Sequence, residues 1–284
     1  TVYAALGTKV TVVEMTPGLL PGADRDLVKV LQKRLASRMA AILLQTTVKS
    51  LKVQKNGIKA TLEGPDVDQK ARIFDKVLLA VGRRPYSTGL GLANTTIEVD
   101  GRGFIKVDAQ RRTAEKHIFA IGDVAGEPML AHKASHEGRV ATEAIAGRQV
   151  AYEPAAIPAV VFTDPEIAWV GLTEKEAADR SIAHKVVRFP WAASGRAATL
   201  DCGDGLTKLV IDPQSERIIG MGIAGSGAGE MISEGVLAIE MGANATDVGL
   251  TIHPHPTLTE TIMEAADLFH GSATHFYQSK RKLR

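Results

Sequence analysis

Apolar positions change their period several times along the chain, and each change marks an element. Thr1 to Gly7 reads as the end of a helix closed by a glycine, and Lys9-Val-Thr-Val-Val-Glu14 as a β-branched strand directly after it. Leu27, Val30, Leu31 and Leu35 recur at helical spacing behind Asp24, a candidate N-cap. A strand-like run covers 41–53, and Asn56-Gly57 predicts a hairpin into Ile58–Leu62. Asp75 to Val81 is a short continuous apolar run of the kind buried on both faces, ending in Gly82, where a glycine allows close backbone approach to a ligand. Short strands are expected near 96–99 and 104–107. A further strand over 116–125 ends in Gly122-Asp123, and a helix follows from Lys133 to Ala146.

From Tyr152 the pattern changes. Pro154 and Pro158 punctuate a linker, and strands are predicted near 159–163, 168–170, 185–189, 207–211 and 217–223. Thr173-Glu-Lys-Glu176 has the form of a capping box. Gly229 to Met241 is an amphipathic helix with Ile232, Val236 and Ile239 inward. Strands mixed with helices set to one side describe an α+β domain. Gly225, Gly227 and Gly229 spell G-x-G-x-G, which close helix packing explains better than a nucleotide does.

With 284 residues the chain has room for two or three domains. Its formal net charge of +2 argues against nucleic acid as the main partner. The basic tail from Lys280 to Arg284 reads as a solvated terminus. No apolar run approaches the ~20 residues of a membrane span, and no signal peptide opens the chain. The expected setting is the cytoplasm, or the mitochondrial matrix if the source is eukaryotic. The one cysteine, Cys202, cannot form an intrachain disulfide and reads as an incidental thiol.

Three stretches carry chemistry. Glu14 ends a strand that follows a helix, the place where a dinucleotide-binding βαβ unit puts a carboxylate on the adenosine ribose. The first strand and glycine-rich phosphate loop of such a unit are expected before residue 1, and the chain reads as an N-terminally truncated piece of a larger protein. Asp123 lies ahead of a helix N-terminus, a suitable place for a ligand bearing hydroxyls and phosphates. His132 and His136 share a helix face, but no acidic or thiol ligand stands near them to favour a metal.

The third stretch is Thr251-Ile-His-Pro-His-Pro-Thr-Leu-Thr-Glu260. Its prolines hold His253 and His255 on a stiff extended lead-in. Thr257-Leu-Thr-Glu260 has capping-box form before a helix running from Thr261 to Phe269. A carboxylate at 260 can accept an imidazole N–H from His255 and keep the ring basic.

Val-Val-Glu14, Ala80-Val-Gly-Arg-Arg-Pro85, Phe119-Ala-Ile-Gly-Asp-Val124, Pro128-Met-Leu-Ala-His-Lys-Ala134, Phe162-Thr-Asp-Pro-Glu-Ile167, Gly225-Ser-Gly-Ala-Gly-Glu230 and His253-Pro-His-Pro-Thr-Leu-Thr-Glu260 together resemble the flavoprotein disulfide reductases, over essentially the whole chain. The nearest likeness is to the branch that oxidises dihydrolipoamide. The resemblance implies an α/β fold, with incomplete Rossmann-like NAD- and FAD-binding domains (1–84 and 85–153) followed by an α+β dimerisation domain (154–284). It implies FAD on Asp123, Met129, Leu130, Ala131 and His132, and NAD on Glu14, Val48 and Gly82. It further implies His255 as the base that takes the dithiol proton, held by Glu260 and serving the partner subunit's active site in a homodimer. The lipoyl domain of a 2-oxo-acid dehydrogenase complex would be the partner, with no nucleic acid, membrane or metal involved.

The family's redox-active C-x-x-x-x-C pair and its phosphate loops are not in the chain, so by itself it is expected to be inactive. Within the family, Glu14 disfavours glutathione reductase, which takes a 2′-phosphorylated cofactor. The ending, without a late cysteine, disfavours mercuric reductase. A soluble transhydrogenase and a non-catalytic dimerisation fragment are the remaining alternatives.

Overall fold

The computed structural model describes residues 1–277; the basic tail at 280–284 lies outside the described residues. Two compact units are present. One runs from Thr1 to Val77 and again from Ala156 onward, and the other is Leu78–Ala155.

The first unit opens with a short helix α1 (Val2–Ala5), and Gly7 at φ +93° makes the left-handed turn that follows it. Strand β1 (Thr11–Val13), helix α2 (Arg25–Ala36) and strand β2 (Ala41–Leu43) form one βαβ crossover, since β1 and β2 pair in parallel. The single run expected over 41–53 is strand except at 44–46, which divide it in two. The chain breaks at Gln45, which has positive φ, and resumes as β3 (Thr47–Gln54). β3 pairs antiparallel with β4 (Gly57–Glu63), and β4 with β5 (Ala71–Phe74). The predicted Asn56-Gly57 hairpin is present, with Gly57 at φ +132°.

The expected buried strand over 75–81 is absent. Those residues form no strand and are exposed, Val81 by 93%. A strand buried on both faces needs ladder partners along both edges, and the described parallel sheet contains only β1 and β2.

The second unit holds loops, two isolated bridges (Val99↔Ile105 and Arg112↔Phe119) and one long helix, α3 (Ala131–Ile145). The strands expected at 96–99, 104–107 and 116–125 reduce to these bridges, and Gly122–Val124 is a single 3₁₀ turn. Apolar alternation there serves a small core around Ile97, Ile105 and Ala120 rather than a ladder.

From Ala156 the first unit continues as an antiparallel sheet in the order β6-β7-β10-β9-β8. Its elements are β6 (Ala159–Val161), β7 (Glu166–Gly171), α4 (Glu174–Asp179), β8 (Lys185–Pro190), α5 (Gly195–Thr199), β9 (Leu206–Ile211), β10 (Ile218–Gly225), α6 (Ala228–Glu240), α7 (Ala245–Leu250) and α8 (Glu260–His270). All five predicted strands are present, and so is the predicted capping box, with Thr173 and Glu176 bonding reciprocally.

Both faces of the sheet are covered, rather than one. Ala168, Val170, Met221 and Ile223 pack with Ile232 of α6 and with Ile262 and Ala265 of α8. The alternate residues Ile167 and Ala224 pack with Leu27 and Leu31 of α2. Gly222 lets α2 approach: a Cβ there would lie 2.5 Å from Leu27 Cδ1. Asp24 does not cap α2 with its side chain. It accepts instead from the Glu174 amide at 3.0 Å and pairs with Lys208 of β9 at 2.9 Å.

Among the described residues no helix is long and apolar enough to cross a membrane.

Candidate active site

The most developed site forms at the start of α8. Its foundation is Trp191, fully buried against Gly205 and Gly225, where any Cβ would lie 2.3 Å from the indole. That contact is the physical content of the first glycine in the G-x-G-x-G run. The Trp191 indole N–H donates to Thr207 Oγ1 at 2.9 Å, and the Thr207 and Thr261 hydroxyls bond at 2.7 Å. All three side chains are buried, so the polar chain is shielded from water and fixes the first turn of α8 on the sheet.

Glu260 is the residue before Thr261 and so inherits that anchor. Only half of the expected capping box forms. The Thr257 amide donates to Glu260 Oε2 at 2.7 Å, but the Thr257 hydroxyl donates to the Pro254 carbonyl, and the helix begins later, with Thr259 at the N-cap. Glu260 Oε1 is thereby free for His255, whose Nδ1 lies 2.9 Å away. Burial works to raise the Glu260 carboxyl, but the Thr257 amide and the His255 ring outweigh it and hold the group below the usual range. The carboxylate therefore stays ionised and fixes the imidazole. Nε2 of His255 has no hydrogen-bond partner among the described residues, and the ring is 73% exposed.

His253, the other histidine of the motif, faces elsewhere. Its side chain is 5% exposed and its Nε2 bonds Glu234 of α6 at 2.7 Å. Ile252 and Pro254 beside it are exposed.

His255 and Glu260 line a cleft of about 290 Å³, together with Glu264 and His275. Sequence reasoning missed these last two and the Trp191–Thr207–Thr261 chain. Glu264 follows Glu260 by one helical turn, which was the available signal. His275 lies in a segment with no periodicity to place it.

In the second unit, Asp123 lies in the 3₁₀ turn and pairs with Arg83 Nη1 at 3.1 Å; the same nitrogen donates to the Met129 carbonyl at 3.3 Å. Gly122, at φ +75°, donates its amide to Glu137 Oε2 at 2.6 Å. Glu137 is fully buried and pairs with Lys133 and Arg111, both at 3.1 Å. This arrangement ties the turn bearing Asp123 to α3. Leu130 is the N-cap of α3 and places no side chain on the helix's first amides; Ala131 and His132 open the helix and are exposed. Gly82, at φ +121°, is exposed with no atom within 4 Å of where a Cβ would be.

In the first unit, Glu14 follows β1 and its Oε1 accepts from the Thr16 amide at 2.7 Å. Val48 is on β3, 45% exposed. Cys202 is half-buried, and burial pushes its thiol up, away from the reactive thiolate. No group of three or more His, Cys, Asp or Glu able to hold a metal ion is found among the described residues.

The family model for pyridine nucleotide-disulphide oxidoreductases matches residues 1–138, and that for the dimerisation domain of the same family matches residues 157–266. The chain belongs to the pyridine nucleotide-disulphide oxidoreductases. Within the family, it is 48% identical over 282 residues to the dihydrolipoyl dehydrogenase of Vibrio cholerae, covering 99% of this chain and 59% of that protein. It is 46% identical over 282 residues to the dihydrolipoyl dehydrogenase of Haemophilus influenzae, with 99% and 59% covered.

Among solved structures, LpdA from Mycobacterium tuberculosis matches with TM-score 0.85 and 28% identity, covering 94% of this chain and 57% of that one. The HOCl-induced flavoprotein disulfide reductase RclA from Escherichia coli matches with TM-score 0.84 and 26% identity, covering 94% and 60%. The chain thus spans about three-fifths of the length of the curated relatives it matches.

Proposed function

We propose that this chain is part of a dihydrolipoyl dehydrogenase, an oxidoreductase that converts protein-bound dihydrolipoamide to lipoamide with FAD and NAD. The observation that carries the reading is the His255 Nδ1 to Glu260 Oε1 contact at 2.9 Å, in a cleft that leaves Nε2 without a protein partner. A dithiol reacts as its thiolate, so the first requirement is a base that removes the thiol proton. His255 takes that proton on Nε2. Glu260 holds the ring by Nδ1 and balances the positive charge that develops on it. Cys202 is the chain's one cysteine, so the redox disulfide that receives the electrons is supplied outside these 284 residues.

The residues in hand fit the two cofactors. Asp123, on a turn clamped by Glu137, is suited to the hydroxyls of FAD, and the α3 start formed by Met129, Leu130, Ala131 and His132 to its flavin side. Glu14 and Val48 suit NAD, as a carboxylate for the ribose hydroxyls and an exposed strand position; Gly82, in the other unit, by itself offers a backbone open to close approach. When bound, the two cofactors carry electrons from the dithiol to the nicotinamide.

The assignment of 1–84 and 85–153 to NAD and FAD domains and of 154–284 to dimerisation belongs to this proposal. So do a homodimer in which His255 serves the partner subunit, a lipoyl-domain partner and a cytoplasmic setting.

The test is H255Q in the full-length protein. Dihydrolipoamide-dependent NAD reduction is expected to fall by roughly 10²–10⁴-fold while flavin content is unchanged. Turnover within threefold of wild type with flavin retained overturns the assignment.

A further inference from the structure

The cleft contains a second imidazole–carboxylate pair. Glu264 is 3% exposed and lies one turn beyond Glu260 on α8. It gathers the segment that follows the helix: Oε2 accepts the amides of Thr274 and His275 at 3.0 and 3.3 Å, and Oε1 lies 2.5 Å from His275 Nδ1. Phe276 packs edge-on against Phe189 of β8, which fixes the segment from its other side. The His275 side chain is 56% exposed, and its Nε2 has no hydrogen-bond partner among the described residues. The two pairs thus repeat one arrangement, a carboxylate on α8 holding an imidazole by Nδ1, with both rings lining a single cleft.

We propose that His275 is a positioning residue of this cleft that sets its charge and so tunes how readily His255 takes up a proton. The titratable groups lining the cleft are His255, Glu260, Glu264 and His275. The other residues that line it, Phe189, 192–195, Ala198 and Thr261, contribute none. The His275 ring adds to the influences that hold the Glu260 carboxyl down, which places its charge within reach of the His255–Glu260 pair. A proton on His275 disfavours one on His255, and a neutral His275 relieves that opposition. The inference rests on the reading of His255 as the base, and it adds a residue that modulates that base.

The test is a titration of the histidine ring resonances by nuclear magnetic resonance in the wild-type chain and in H275Q and H275K, with the His255 signal assigned by its loss in H255Q. The His255 midpoint is expected to rise by roughly half a pH unit in H275Q, the size of Coulomb coupling between neighbouring charges that are largely solvated. In H275K, which keeps a positive charge beside Glu264, it is expected at or below the wild-type value. Coinciding midpoints in all three proteins, or a shift of the same sign in both variants, overturns the proposal. In the full-length protein the base limb of the pH–rate profile for dihydrolipoamide oxidation moves in the same senses. An unmoved profile in H275Q with an inactive H255Q rejects the role of His275 and leaves the proposed function standing; an active H255Q rejects the function.

Discussion

Lys208 is the best place to test how the first unit is held together. Its side chain is 1% exposed on β9, and its ammonium lies 2.9 Å from Asp24, 2.9 Å from Asp26 and 2.7 Å from Glu174. Arg188 of β8 also binds Asp26, at 2.6 Å, and Glu174. Two cations thus face three carboxylates, and K208M changes the local charge from −1 to −2 while leaving buried Asp24 with only the Glu174 and Lys175 amides as partners. Removing one partner of a buried pair costs roughly 3–5 kcal/mol. Asp26 and Glu174 retain 24% and 39% exposure, so water takes back part of the loss, and a figure near 3 kcal/mol is expected.

The pH dependence has a definite sign. Burial works to raise the Asp26 carboxyl, but Arg188 and Lys208 outweigh it, so its folded-state value is lowered. Its contribution is therefore present above the unfolded value of about 4 and is lost as pH falls through the folded one. Burial works to lower Lys208, but its three carboxylates leave it raised, so its contribution is present below an unfolded value of about 10.4 and is lost as pH rises through the folded one. Urea denaturation of wild type and K208M at pH 7 and at about pH 2–3 reads this directly. The difference is expected to narrow in acid, where Asp26 protonates and its pairing with Lys208 and Arg188 is lost. A difference below about 1 kcal/mol at pH 7, the size of an exposed pair, would show that Lys208 does not hold the unit together.

Three further outcomes follow from contacts already described. G222V drives a branched side chain into Leu27 and is expected to cost about 1–3 kcal/mol by overpacking, read by thermal denaturation. T261V removes the hydroxyl that bonds Thr207 in the buried chain to Trp191 and is expected to cost about 1–3 kcal/mol; a stability within experimental error of wild type contradicts the anchoring role given to that chain. E260Q keeps the shape of the side chain but withdraws the charge that balances the His255 ring, and dithiol oxidation in the full-length protein is expected to fall by roughly 10²-fold, measured as steady-state turnover.

How far these features can be read in the sequence differs from one part of the chain to another. β6 to β10 were legible because each has one ladder partner that is its neighbour in strand order along the chain, although β7 and β10 also pair across a long separation, and the runs of β9 and β10 are largely buried. The run at 75–81 has an equally strong apolar pattern and yet is not a strand. Composition reports a tendency to be buried, but a strand also needs neighbours for its amides and carbonyls. The His255–Glu260 pair was legible because five residues and two prolines constrain it locally.

His275 and Glu264 are eleven residues apart, joined by a turn that no short-range pattern specifies, and Lys208 meets acids from two distant segments. These contacts depend on tertiary placement, which periodicity does not encode. The second covered face of the sheet was missed for the same reason: α2 and β10 are remote in sequence, and a glycine at 222 does not by itself announce a helix above it.

In the proposed reaction one imidazole, held by one carboxylate, removes the proton from a dithiol. A rapid-quench measurement of free dihydrolipoamide consumed in a single turnover by the full-length protein, wild type against H255Q, addresses it without interference from later steps. Consumption is expected to slow by at least roughly 10²-fold in H255Q, and raising the pH, which ionises the dithiol without help, to restore much of the rate. Equal single-turnover rates near neutral pH would contradict it.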